Sequence, residues 1–250
     1  MDPDLQHRWF PVCSGEDLPQ KHVFETDLLG RELAIWRDRG GGVNVWENRC
    51  PHRGMRLTLG ANLGGELRCA YHGYRFAAGS GTCTSVPAQP DKAPPRSLCV
   101  KTYPVREAGP LVWTRLADDT PAAEPPPAVT VDGLALHAVA VNAAPSAVGA
   151  FLAGHRFRAA QALGTRETAE ETCSTTQLDP YSFRSVARSA ALCSVVQWFL
   201  QPVDPHCTIV RGILLGPIEA PLRIPALRHH ASRLAQLRDD CEDGPGGARP

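Results

Sequence analysis

This sequence lacks an excess of either charge. Its 26 Lys and Arg balance 26 Asp and Glu, for a formal net charge of +0 at pH 7. Such a chain has no global field to draw nucleic acid or an anionic membrane surface. It also lacks any apolar run near the roughly 18 residues of a membrane span. Its N-terminus, MDPDLQHRW, has no basic-then-apolar signal pattern. Cytoplasm is therefore the expected location. Paired cysteine spacing is missing too. The nine cysteines are odd in number, and Cys13, Cys83, Cys99, Cys173, Cys193, Cys207 and Cys241 follow no paired interval. They are expected to be reduced, mostly buried thiols.

Proline (23) and glycine (22) are frequent, as many short strands and loops require. A chain of 250 residues forms one large domain or two small ones, each with its own core.

The chain is organised around CPHRGMRLTLGANLGGELRCAYHGY, Cys50 to Tyr74. It holds Cys-x-His (Cys50, His52), sixteen intervening residues, then Cys-x-x-His (Cys69, His72). Two thiolates and two imidazoles are what a Rieske [2Fe–2S] centre needs, the sulfurs on one iron and the nitrogens on the other. Each clip then gives one ligand to each iron, so the two clips must face each other on two loops. A tetrahedral Cys₂His₂ zinc site uses the same residue types. Zinc spacing usually groups cysteines with cysteines, whereas here they alternate with histidines.

The run from Trp9 to about Trp113 resembles the Rieske domain of bacterial Rieske non-haem iron oxygenases of the vanillate demethylase and dicamba monooxygenase kind. The matching pieces are WFPV (Trp9 to Val12), GRELAIWRD (Gly30 to Asp38), CPHRG (Cys50 to Gly54), CAYHGYRF (Cys69 to Phe76) and Gly81…Val86-Pro87. Respiratory Rieske proteins carry an extra cysteine pair near the ligand histidines. Here Gly54 and Tyr74 stand two residues after those histidines.

Residues 1–116 are expected to form a mainly β domain, an antiparallel β-sandwich with the cluster loops at one end. Trp36 and Trp46 alternate with polar neighbours and are expected in its core. ADDTPAAEPPPA, residues 117–128, reads as a Pro-rich linker. Residues 129–250 are expected to form a shortened α+β domain resembling the oxygenase catalytic domain. It should have a strand over VDGLALHAVAVN, a helix near 145–163, a strand pair joined at Pro202–Pro205 and a final helix over RIPALRHHASRLAQLRDDCED.

The resemblance also implies a mononuclear Fe(II) in that second domain, on two histidines and a carboxylate. The family pattern is Asn-x-x-Asp-x-x-His-x₄-His, with the carboxylate on a later helix. NAAPSAVGAFLAGHRFRAAQ resembles it from Asn142 onward. The bridging Asp position falls on Pro145 and the first His position on Val148. His155 stands two residues late for the second, and Asp239 or Asp240 is the candidate carboxylate. Neither Pro nor Val ligates iron through its side chain, so this iron site reads as incomplete. His229 and His230 are adjacent, diverge by about 100° on a helix, and are expected on a solvated face. His206 is expected in a turn and His137 in the core.

The expected function is a Rieske oxidoreductase of the ring-hydroxylating and demethylating family, passing one electron at a time through the cluster. One alternative is an active oxygenase with an iron site remodelled on His155 and Asp239 or Asp240, acting on a small aromatic or amine. The other is a non-enzymatic ligand-binding or sensor module. Arg49, Arg53, Arg56, Arg68 and Arg75 surround the clips. They either dock an acidic electron donor, a ferredoxin or flavoprotein reductase, or pair locally. A homo- or hetero-oligomer with another oxygenase subunit is implied by the resemblance.

Overall fold

The computed structural model describes residues 3–117, 132–163 and 171–244. The chain divides into two compact units, Met1–Pro127 and Ala128–Pro250. From residue 118 onward, the linker expected over 117–128 lies outside the described residues.

The first unit is built from three small antiparallel sheets. One pairs β1 (Phe10–Ser14) with β11 (Leu111–Thr114), and β11 with β10 (Val105–Ala108). The second runs β2 (Phe24–Leu28), β3 (Arg31–Arg37), β4 (Val43–Glu47), β9 (Thr102–Tyr103). The third runs β5 (Ala61–Asn62), β6 (Glu66–Arg68), β7 (Arg75–Ala77), β8 (Cys83–Ser85). Between β3 and β4 the chain reverses at Gly40–Gly42. There the Asp38 carboxylate accepts from the Gly42 amide at 2.9 Å, and Gly41 takes φ +90°, a conformation open to glycine at little cost. The hairpin lays Trp36 and Trp46 against each other edge-on, with centroids 5.1 Å apart. Both are buried, as their alternation with polar residues requires. They share one apolar cluster with Cys50, Leu57, Leu67, Cys69 and Phe76, so the cluster loops grow directly from this core.

The second unit holds a six-stranded antiparallel sheet and the helices. Its strands are β12 (Gly133–Ala135), β13 (Val139–Val141), β14 (Thr172–Asp179), β15 (Ser182–Arg188), β16 (Cys193–Asp204) and β17 (Cys207–Leu215). β17 pairs with β16, and also with β12 and β13. The expected strand over VDGLALHAVAVN is therefore two short strands. The β16–β17 hairpin turns at Pro205-His206, where the His206 amide donates to Asp204 Oδ1 at 2.7 Å. Pro202 fits within β16 because β15 stops pairing at Phe199, so its missing N–H costs no ladder bond on that side.

The helix expected near 145–163 breaks in two, α1 (Pro145–Ala153) and α2 (Ala159–Ala162). Gly154 caps α1. The carbonyls freed at the break are taken by guanidiniums: Arg156 Nη1 donates to Ala153 O and His155 O, and Arg233 Nε and Nη2 donate to Arg156 O. The last helix, α3 (Ala220–Asp243), buries Ala226, His230, Leu234, Leu237 and Cys241. Those positions recur every three or four residues, the stripe of a helix packed on one face. The fold is thus mainly β in the first unit and α+β in the second. Among the described residues no helix is long and apolar enough to cross a membrane. None of the nine cysteines is in a disulfide. Cys13, Cys83 and Cys241 are buried, but Cys99 and Cys193 are exposed and Cys173 and Cys207 half-buried, so the expectation of mostly buried thiols is corrected.

Candidate metal centre

Two loops of the first unit share one construction. After β4, the Cys50 amide donates to Met55 O at 2.8 Å and the Gly54 amide to Cys50 O at 2.8 Å. After β6, the Cys69 amide donates to Tyr74 O at 2.8 Å and the Gly73 amide to Cys69 O at 3.2 Å. Each loop turns on a glycine four residues past its cysteine, with φ +73° at Gly54 and +71° at Gly73. Side chains rarely adopt that backbone region. A Cβ on Gly73 would also stand 3.2 Å from Pro87 Cγ.

The loops bring together what the sequence singles out. Cys50 and Cys69 are each 2% exposed, with the sulfurs inward. Burial pushes the Cys50 thiol up to about 11, and the adjacent Cys69 sulfur adds to that. The backbone amides of His52 and Arg53 hydrogen-bond the Cys50 sulfur and pull the other way, toward a thiolate. On the outer side, His52 Nδ1 and His72 Nδ1 are 3.2 Å apart. Two nitrogens sharing one tetrahedral first-row metal at bonds of about 2.0–2.1 Å would lie about 3.4 Å apart, so the two rings suit a common metal. Residual burial, His72 and Arg53 hold His52 below the usual imidazole range, favouring the neutral form a ligand needs. The four residues form a sulfur pair and a nitrogen pair. Among the described residues no three His, Cys, Asp or Glu side chains converge as they would on a single ion. Two pairs fit a two-iron cluster better than one zinc.

Two tyrosines complete the outer face. Tyr74 stacks on His52, centroids 4.3 Å apart and planes 16° apart. Tyr71, 53% exposed, lies over His72 at 3.8 Å. Their place inside CAYHGY was the available signal. Among the arginines, Arg49 pairs with Glu32 at 3.2 Å, Arg56 with Glu32 at 2.7 Å and Arg75 with Glu66 at 3.8 Å. The Arg56 hydrogen bond holds the Glu32 carboxyl below its usual range. Local pairing thus accounts for those three, while Arg53 and Arg68 pair with no carboxylate among the described residues.

In the second unit the candidate iron residues part company. His155, 5% exposed, and Asp240 line one cavity beside α3. Asp239 does not line it; it is exposed and bonded to Arg238 at 2.7 Å. Val148 is fully buried in the apolar core, and Pro145 begins α1. No three-ligand group forms among the described residues. His155 stands edge-on to Trp198, centroids 5.3 Å apart. Its carbonyl accepts from Thr175 Oγ1, which in turn meets Ser185 Oγ, the acceptor of Trp198 Nε1.

The solvated face expected for His229 and His230 is overturned. His230 is 0% exposed and packs on Phe157 and Trp198, and His229 is half-buried. His230 belongs to the apolar stripe of α3, and that periodicity was the missed signal. Both ring nitrogens of His230, and Nε2 of His155 and of His229, are buried without partners. Burial pushes His230 down to about 3 and His155 down to about 4. His137, expected in the core, is exposed, whereas His206 takes its expected turn.

Residues 8–104 match the family described as Rieske [2Fe–2S] domain. A 119-residue stretch is 57% identical to the oxidoreductase NdmD of Pseudomonas putida, covering 48% of this chain and 20% of that one. The chain spans about a fifth to a third of the length of the curated relatives it matches. Among solved structures it is similar to NdmB of P. putida CBB5, with TM-score 0.70 and 18% identity over 99% of this chain and 85% of that one. It is also similar to dicamba monooxygenase bound to dicamba, with TM-score 0.70 and 20% identity over 95% of this chain and 85% of that one. Residues 8–104 therefore match the Rieske [2Fe–2S] domain family, in a chain whose fold is similar to those of NdmB and dicamba monooxygenase.

Proposed function

We propose that the chain is a one-electron carrier of the ring-hydroxylating and demethylating oxygenase family, with Cys50, His52, Cys69 and His72 as the cluster ligands. The observation that carries this reading is the meeting of a buried sulfur pair with an outward nitrogen pair, 3.2 Å apart, on two matched loops. When bound, such a cluster supplies one-electron exchange in the range of about −150 to +300 mV, because neutral imidazoles replace two thiolates. The chain's own part is to keep the sulfurs dry, supply amides to Cys50 and hold both imidazoles at the surface. Exposed His72 is the natural crossing point for the electron.

The electron donor in this reading is a ferredoxin or flavoprotein reductase. Arg53 and Arg68, free of local carboxylates, would meet its acidic rim. A cytoplasmic, reducing compartment suits a chain whose cysteines form no disulfide. An oligomer with another oxygenase subunit would supply an active iron, for which no group of three His, Cys, Asp or Glu ligands forms among the described residues of this chain.

A second reading, an oxygenase with a remodelled iron, rests on His155 and Asp240 lining one cavity. Iron and acid-labile sulfide per chain, measured on anaerobically purified protein with an EPR spectrum after dithionite, separate the two. Two irons and a rhombic Rieske signal are expected. A third iron, lost to chelator while the Rieske signal stays, would establish the oxygenase instead.

A further inference from the structure

The cavity beside α3 mixes cationic, apolar and acidic side chains. It measures about 380 Å³ and is lined by Phe151, His155, Arg156, Arg233, Leu237 and Asp240, with small neighbours from α1. A divalent ion there would face two guanidiniums for a single carboxylate, and no group of three His, Cys, Asp or Glu side chains forms among the described residues. Like charges at that range oppose its entry.

The guanidiniums are held in advance. Arg156 Nη1 is tied to Ala153 O and His155 O, and Arg233 to Arg156 O and to Gln236 Oε1 at 2.8 Å. A guanidinium carries five N–H groups, so each keeps donors for a carboxylate. Asp240 lines the same cavity yet makes no ion pair with either arginine within 4.0 Å among the described residues. Along α3 the order is Arg233, Leu237, Asp240: a cation, an apolar side chain, an anion. These span seven residues, about 10 Å at 1.5 Å per residue. Phe151 adds a second apolar wall, and His155, buried with Nε2 unpartnered, adds a polar group that lacks a hydrogen bond.

We propose that this cavity binds an ω-amino acid. The carboxylate lies on Arg156 and Arg233, the methylene chain on Leu237 and Phe151, and the ammonium on Asp240. This site is independent of the cluster.

The test is calorimetry on the full, cluster-loaded chain with 5-aminopentanoate, pentanoate, pentylamine and, anaerobically, Fe(II) alone. 5-Aminopentanoate is expected to bind about tenfold more tightly than either singly charged analogue, a difference of about 1.4 kcal/mol. Asp240→Asn is expected to bring it down to pentanoate's level while leaving the cluster EPR signal unchanged. The proposal is overturned if none of the organic probes binds, if pentylamine binds as well as the amino acid, or if Asp240→Asn changes nothing. It is equally overturned if Fe(II) binds stoichiometrically and that binding is lost in both Asp240→Asn and His155→Ala.

Discussion

Replacing His230 with leucine should make the second unit more stable at neutral pH and less sensitive to acid. His230 is fully buried against Phe157 and Trp198, and neither ring nitrogen has a partner. A buried polar group without a hydrogen bond costs about 1–3 kcal/mol, and leucine of similar bulk removes it. The pH dependence follows from proton binding. Burial holds His230 at about 3 and His155 at about 4, against 6.5 for a free histidine. Above pH 6.5 both are neutral whether folded or unfolded, and their contribution to stability does not vary with pH. Below 6.5 the unfolded chain takes up protons that the folded chain refuses, so stability falls until the folded values are reached. Between pH 6.5 and 4.5 each group costs about 2.3 kcal/mol, because the unfolded imidazole is already half protonated at 6.5 and the slope then approaches about 1.36 kcal/mol per unit, or about 4.5 kcal/mol for the pair. His229, also held low by burial, acts in the same direction. Carboxylates elsewhere cancel from the comparison between wild type and His230→Leu. The assay is urea unfolding from pH 7 to 4.5, followed by the indole resonance of Trp198, the tryptophan in the second unit, whose N–H donates to Ser185 at 2.9 Å. The variant should lose about 2 kcal/mol of the wild type's fall in stability between pH 6.5 and 4.5. A wild-type stability that stays flat from pH 6.5 to 4.5, or a variant that keeps the full slope, refutes the reasoning.

Two further outcomes concern the first unit. Cys50→Ser and His72→Ala should each abolish the visible absorption of the cluster in purified protein; retention in either removes that residue from the ligand set. Gly73→Ala forces a side chain into φ +71° and against Pro87 at 3.2 Å. It should destabilise the first unit by about 1–2 kcal/mol and lower iron content per chain, and thermal unfolding with iron analysis checks both.

The clips were legible because ligand chemistry demands those four residue types at fixed spacing. The strands around Trp36 and Trp46, the β16–β17 hairpin and the last helix were legible from periodicity and turn residues. β14 was not. TCSTTQLD is a polar edge strand, mostly exposed, and carries no apolar alternation to announce it. The break at Gly154 was hidden because Ala-rich sequence favours helix throughout, while the carbonyls it frees are caught by Arg156 and by Arg233, some 77 residues away for the latter. His230 was misplaced because adjacent histidines look solvated until the stripe Ala226–His230–Leu234 is counted.

The two matched loops leave different sheets, one after β4 and the other after β6. With Cys50 and Cys69 bound to one iron, the centre is also a crosslink, closing a 19-residue span of chain much as a disulfide would. Loop-closure entropy for such a span is worth about 3 kcal/mol. Iron loading would then add a fastening to two sheets already tied by the Asn62 side chain, which donates to Arg37 O at 2.9 Å, and by Asn44 Oδ1, which accepts from the Gly79 amide at 2.6 Å, so whatever strips the metal would also loosen the domain's architecture. Holding the cluster and holding the shape become a single thermodynamic quantity.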